Sequence, residues 1–469
     1  MNSREFVQQF NEYPILQELE RELAAGKTRF GIQNSIGSFK SVLFAHLQKH
    51  TDRSLLILCN DQEHAEYVYT DLQVFTDHNY VFLWKDSFRR SFDLTIPEST
   101  KIQSKASVLD ALSDLDEAKI VVTYPEAFVE KIVQQETFQK SKITFKVGEE
   151  VDLDFLIEIL NEYAFYREDF VYEPGQFSIR GGIIDLFSYA SDLPFRLELD
   201  GRTIESIREF DPISQLSTRK LVRATVVPNV QESGRENGHT DIFEYLGKRP
   251  IVCAYDLPYL FAKLEKGWEK AKEKSTDEHN PTDLYFDEAS IANQLQKKPV
   301  IEFSSQTFFR PSIKLKFNQV PQPPVNKNFN LLIDTLKSLD AKKYTTLIFS
   351  ESAKQIERLE SIFDDLESGY TIQPVYKSLS EGFIDHDLKI AAYTEHQIFN
   401  RFYLAKSGKS VSTSGAISLK ELQDLNPGDY VVHIDHGIGQ FKGLQRLEMG
   451  GKMQDAVRIE YKNGDLLYV

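Results

Sequence analysis

Apolar positions recur with two different periods along the 469 residues. Residues 54–59, 80–84 and 119–123 are short, nearly unbroken apolar runs, which predict buried strands. Between them, 61–75 carries Ala65, Val68, Tyr69 and Leu72 on one helical face, and 41–48 repeats a helical pattern. Strands alternating with helices predict an α/β unit over 1–125. From 126 to 227 the texture turns α+β. A helix over 153–165 leads into residues 176–187, which read Gln-Phe-Ser-Ile-Arg-Gly-Gly-Ile-Ile-Asp-Leu-Phe. Phe177 and Ile179 alternate with Gln176, Ser178 and Arg180, a Gly-Gly pair follows, and a second apolar run is interrupted only by Asp185. That pattern predicts a half-buried hairpin turning at Gly181-Gly182, with Arg180 at its shoulder and a further strand at 196–199. An arginine in that place can be an ordinary solvated residue or a partner contact.

Residues 228–320 carry two surface insertions, at 231–240 and 272–281. Clustered prolines over 319–328 predict an extended, unpaired linker. A small α/β unit is expected over 329–404, with strands at 345–349 and 388–393 around a helix at 352–366. A Gly- and Ser-rich linker, 405–418, comes next, and Ser418 with Glu421 makes a capping-box pattern for a short helix. After Asn426-Pro427-Gly428 the chain becomes short strands and glycine turns, with Asn463-Gly464 as a strong hairpin signal. Several short strands predict a small SH3- or Tudor-like barrel over 419–469, incomplete because 466–469 stops partway through its closing strands. The fold class expected is therefore multi-domain α/β with a terminal β-barrel.

Composition narrows the partners. Asp and Glu outnumber Lys and Arg 71 to 55, a formal net charge of −16, and hydrophobic residues make up 41%. Gripping duplex DNA by its phosphates needs a local surplus of cations. The best basic cluster, Arg202, Arg208, Arg219, Lys220 and Arg223, is diluted by Glu205, Glu209 and Asp211, so protein partners are the better expectation. Cys59 and Cys253 sit in apolar runs and are expected as buried thiols in a reducing compartment. No signal-like or membrane-length apolar run is present, and a cytoplasmic chain with no membrane contact is expected.

Sites for chemistry are sparse. Gly37-Ser38-Phe39-Lys40-Ser41 opens a helix, but a working phosphate loop, GxxxxGK[ST], needs glycine where Phe39 stands and again where Asn34 stands. Gly37, Lys40 and Ser41 thus mark either a plain loop–helix junction or a decayed nucleotide site, and both readings predict no ATP hydrolysis. His433 and His436 flank Asp435, yet strand alternation sends neighbours to opposite faces, so no metal site is expected there. No catalytic residue is assigned.

The wording of several segments is more specific than their pattern. YEPGQFSIRGGIIDLF at 172–187 resembles the UvrA-binding domain shared by the excision-repair protein UvrB and the transcription-repair coupling factors. From about residue 10 onward the order of segments resembles the N-terminal half of that second family: the broken loop at 37–41, KIVVTYPEAF, the hairpin, LPFRLELDGRTIESIREFDPISQLS, TEHQIFNR and NPGDYVVHIDHGIGQFKGL. Residues 230–400 match weakly. The resemblance implies a degenerate, RecA-like P-loop NTPase domain (1–125, continued over 228–320), an inserted UvrA-binding domain (126–227), a small α/β domain (329–404) and an RNA-polymerase-interacting domain (419–469). It implies a non-catalytic adaptor that binds the polymerase β subunit and recruits UvrA. Family members carry an ATP- and Mg-dependent DNA translocase motor that this chain lacks, through which DNA is mainly bound and whose far end masks the UvrA surface. No cofactor is expected within the chain itself.

Site residues follow by position. The resemblance places UvrA binding on Arg180 and Arg196, two guanidiniums able to fork onto partner carboxylates. A family aromatic is replaced by Asp200, so that either Phe195 or Tyr189 substitutes or the partner surface has drifted. The alternative for Arg196 is an internal salt bridge to Glu198 or Glu205. Polymerase binding falls on the strand edge Tyr430, Val432 and Ile434, although Ile434 could equally pack inward. The competing class is a nucleotide-dependent DNA-remodelling or UvrB-like DNA-loading enzyme.

Overall fold

A computed structural model describes residues 3–88, 99–229, 239–247, 249–273, 275, 280–326, 328–403, 427–433, 437–449, 452–461 and 466–468. These fall into two compact units, 1–406 and 407–469.

The first unit is built on an all-parallel sheet of seven strands. In spatial order they are Ile313–Lys316, Arg29–Gln33, Val300–Glu302, Ile251–Ala254, Leu55–Leu58, Ile120–Thr123 and Val81–Leu83. Three adjacent inner strands read IVCA, LLIL and IVVT and are buried at every position, as a sheet covered on both faces requires. Strands from 29–123 and from 251–316 interleave, so residues on both sides of the intervening hairpin segment complete one layer. Cys59 and Cys253 lie buried and unpaired, and burial pushes both thiols up. The helix Gln62–Phe75 buries Ala65, Val68 and Leu72 and is capped by Asp61, whose carboxylate accepts from the His64 amide.

The inserted segment forms a six-stranded sheet in the order Ser217–Leu221, Thr203–Phe210, Phe195–Asp200, Ile183–Leu186, Gln176–Arg180 and Tyr166–Arg167. The Gly-Gly hairpin forms as expected: Arg180 pairs with Ile183 and Gly181 takes φ +59°. A side chain at Gly182 would meet the Leu199 carbonyl at 2.9 Å, so the second glycine is a packing requirement.

The proline-rich stretch departs from the linker expectation. Gln319–Pro321 is an edge strand antiparallel to Phe383–Asp385 in a five-stranded sheet with Ile390–Thr394, Thr345–Phe349 and Pro374–Val375. An edge position tolerates Pro321, because only one side of the strand must donate. This sheet has its own small core around Leu336, Leu359 and Tyr393, but its other face adds Phe349 and Phe383 to the principal core. There Phe6 meets both rings, at 5.5 and 6.4 Å between centroids.

In the second unit the described strands form an antiparallel sheet in the order Tyr430–His433, Gly437–Met449, Lys452–Glu460 and Leu466–Tyr468, packed around Val431, Phe441 and Ile459. Among the described residues no pairing closes it into a barrel. The expected turn at Asn463-Gly464 and the helix opening at Ser418 lie outside the described residues. No described helix is long and apolar enough to cross a membrane.

Candidate functional site

The hairpin sheet assembles the first candidate site around a buried acid. Asp185 interrupts the apolar strand Ile183–Leu186 and is fully buried. Strand register places it opposite both arginines' strands: it pairs with Ser178 on one side and with Arg196 on the other. Arg180 donates through Nη2 to Asp185 Oδ2 at 2.6 Å, and Arg196 makes a fork, Nε to Oδ1 at 2.7 Å and Nη2 to Oδ2 at 2.9 Å. One carboxylate thus aligns two guanidiniums on one sheet face.

The two arginines are not equivalent. Arg196 also donates to the carbonyl and Oε1 of Gln215 and stacks 4.3 Å from the Phe210 ring, leaving its side chain 16% exposed. Its hydrogen bond to Asp185 raises its pKa further. Of the expected alternative partners, Glu198 instead holds Ser206 and Arg208. Arg180, 34% exposed, donates only to Asp185 among the described residues and lies 4.4 Å from the Phe170 ring. Both guanidiniums were expected to be open to a partner; Arg180 keeps donors to offer, whereas Arg196 is spent inside the domain. Asp200 is exposed at the Gly201 turn. Four residues beyond Arg196, it lies roughly 13 Å along the strand, outside the arginine cluster.

Around the arginines lies an apolar rim that periodicity did not flag, because its members sit in loops. Ile213 and Leu216, 79% and 69% exposed, bracket Gln215 in the turn capped by Asp211. Phe170 and Tyr172, both exposed, bracket Val171, whose carbonyl accepts from Gln215. A hollow of about 310 Å³ beside them is lined by Arg167, Glu168, Asp169, Ser178, Ile179 and Arg180. Elsewhere in this domain three of the five cations of the basic cluster are paired, as Arg208–Glu198, Arg219–Glu209 and Arg202–Asp152.

The second candidate, the loop before the Phe39–Thr51 helix, is filled by the chain itself. Asn34 takes φ +56°, a conformation usually left to glycine, and Gly37 takes φ +50°. A side chain at Gly37 would strike the Gly382 carbonyl at 2.8 Å. The Ser38 amide donates to the Glu381 carbonyl at 3.2 Å, and the Glu381 amide donates back to Ser38 Oγ at 3.0 Å. Buried Asp71 ties the joint: Ser38 Oγ and Ser380 Oγ each donate to Oδ2 at 2.6 Å, and the Ser380 amide donates to Oδ1 at 2.7 Å. Lys40 is pushed down to about 8 by burial, with the Glu381 charge opposing that shift. Phe39 is fully buried among Phe317, Phe10 and Phe383, at 4.9, 5.5 and 5.5 Å between centroids. Ser41 is buried in the helix. The amide that would face a phosphate instead faces residue 381, and the Lys40 ammonium lies 5.4 Å from the Tyr255 ring centroid.

Asp71 gives this joint a pH signature. Burial raises its carboxyl to about 7, against the downward pull of its hydrogen bonds from Ser38 and Ser380. The folded state therefore holds the proton more tightly than the unfolded chain. The associated stability is full below about pH 4 and is lost as pH rises through about 7. Chemical denaturation across that range should show wild type losing stability relative to Asp71→Asn, whose neutral amide has no such slope.

In the second unit Tyr430 lies on an edge strand and is 78% exposed, while its neighbour Val431 is buried. Tyr430–His433 pairs only with Gly437–Met449 among the described residues, on one of its two edges. Val432 lies on that strand; Ile434, Asp435 and His436 lie outside the described residues.

Comparison with known proteins matches residues 143–231 to a family described as the UvrB interaction domain, and 425–469 to one described as the CarD-like/TRCF RID domain. The transcription-repair-coupling factor of Bacillus subtilis (strain 168) is 24% identical over all of this chain and 46% of its own length. Along its whole length, this chain resembles transcription-repair coupling factors. Those of Staphylococcus haemolyticus and Staphylococcus aureus (strain Mu50 / ATCC 700699) are each 23% identical over 94% and 92% of the chain. The chain spans about half the length of these coupling factors. A DEAD box protein from the hyperthermophile Methanococcus jannaschii aligns with 78% of the chain at 11% identity, with a TM-score of 0.28, which carries no argument. The UvrB interaction domain match contains the whole arginine cluster, and the RID match contains the Tyr430–His433 edge.

Proposed function

We propose that this chain is the adaptor portion of a transcription-repair coupling factor, holding UvrA through the arginine face of 143–231 and the RNA polymerase β subunit through the edge strand at Tyr430 and Val432 together with Ile434. The observation that carries the reading is the arginine pair aligned on buried Asp185 inside an exposed apolar rim. Arginine and large apolar side chains around a partly desolvated centre are what binding hot spots are made of. In this arrangement Arg180 contacts the partner, Arg196 positions the cluster, and Phe170, Tyr172, Ile213 and Leu216 exclude water from the contact. The polymerase contact is strand addition, in which an unpaired edge supplies backbone hydrogen bonds.

No chemical step belongs to this chain in that reading. Its phosphate loop is degenerate, and Glu381 with the 380–382 backbone takes the place a nucleotide would need. The ATP-driven motor, with its Mg and most of its DNA contact, belongs to the parts of coupling factors that this chain does not span. Calorimetric titration with UvrA in the absence of nucleotide tests the proposal, with Arg180→Ala as the comparison.

A further inference from the structure

We propose that Glu20, His46 and His50 form a zinc-class metal site that clasps the Pro14–Ala24 helix to the Phe39–Thr51 helix. Spacing i, i+4 puts both imidazoles on one face of the Phe39–Thr51 helix. Glu20 reaches them from the other helix: one oxygen, Oε1, contacts His46 Nε2 and lies 3.1 Å from His50 Nδ1. The ring centroids are 4.1 Å apart, and all three ligand atoms lie within 4.8 Å of one another. A tetrahedral ion bound at about 2.0–2.1 Å needs donors about 3.3 Å apart, so a small rotation of the partly exposed Glu20 and His50 closes the set.

His46 has no exposed side-chain surface, so its Nε2 is held facing Glu20. The cluster also opens onto a cavity of about 430 Å³, lined by Glu20 and His50 together with Gln17, Arg21, Thr51 and Arg53. Two imidazoles and one carboxylate, with the fourth position facing such a cavity, suit zinc and its borderline neighbours. Arg21 and Arg53 at the rim favour water or a small anion as the fourth ligand.

The test is calorimetric titration of the chelator-stripped chain with ZnCl2, paired with the visible spectrum of its Co²⁺ form. One tight equivalent is expected, with tetrahedral Co²⁺ absorption and a thermal midpoint that rises with free zinc. His50→Ala and Glu20→Gln, both at partly exposed positions, should each weaken that equivalent by about 100-fold while leaving the metal-free melting curve close to wild type. His433→Ala/His436→Ala, which removes the other closely spaced histidines, should retain it. Absence of a tight equivalent, or one that survives in both His50→Ala and Glu20→Gln, overturns the proposal.

Discussion

Replacing Phe39 with glycine, the residue a working phosphate loop would have there, is expected to cost about 5 kcal/mol of stability and to confer no ATP binding. The Phe39 ring is fully buried and packs edge-on or tilted against Phe10, Phe317 and Phe383. Truncating such a ring costs about 3–5 kcal/mol, and glycine at a helix position adds about 1 kcal/mol. Restored backbone space would gain nothing for a phosphate, because the Glu381 carbonyl already accepts from the Ser38 amide and the Gly382 carbonyl lies over Gly37. Urea denaturation and a fluorescent-nucleotide titration of the variant check the two halves. Nucleotide binding by a folded Phe39→Gly chain would show that the loop had lost only one residue.

The double variant Arg180→Ala/Arg196→Ala should behave as a folding mutant, and Arg180→Ala alone as a binding mutant. Removing both cations strands Asp185, fully buried, without a counter-charge. Uncompensated buried charges cost about 3–5 kcal/mol, and partial exposure of Arg180 puts this one near the lower figure. Arg180→Ala leaves the Arg196 fork in place, so its melting curve should stay close to wild type. Adding Asp185→Asn to the double variant removes the stranded charge and should recover much of the lost stability. Denaturation of the four chains in parallel separates the roles, and a double variant as stable as wild type would mean that the carboxylate is not held by these arginines.

Much of this was legible in the residues, and the exceptions share a cause. The hairpin was readable because Gly181-Gly182 is a local signal, and the buried strands at 55–58 and 120–123 because LLIL and IVV are apolar runs with no other place to go. The partner of Arg196 was not. Asp185 reads as a blemish in an apolar run, and only strand register, a non-local property, sets it against both arginines. The same holds for Gln319–Pro321, whose prolines suggest a linker while its pairing with Phe383–Asp385 is decided more than sixty residues away. The plug at Ser380–Gly382 is a contact between distant segments and left no local pattern. His46 and His50 did leave one, helical i, i+4 spacing, but Glu20, which gives the pair meaning, lies on another helix.

The most direct test of the adaptor reading is a nucleotide-free calorimetric titration of the chain with UvrA, run beside Arg180→Ala. The account predicts that wild type binds without ATP. It further predicts that the variant, equally folded, binds about 10- to 100-fold more weakly, the loss of charge-assisted hydrogen bonds from one guanidinium. A well-folded wild-type chain that fails to bind UvrA, or an Arg180→Ala chain that binds as tightly, would contradict it.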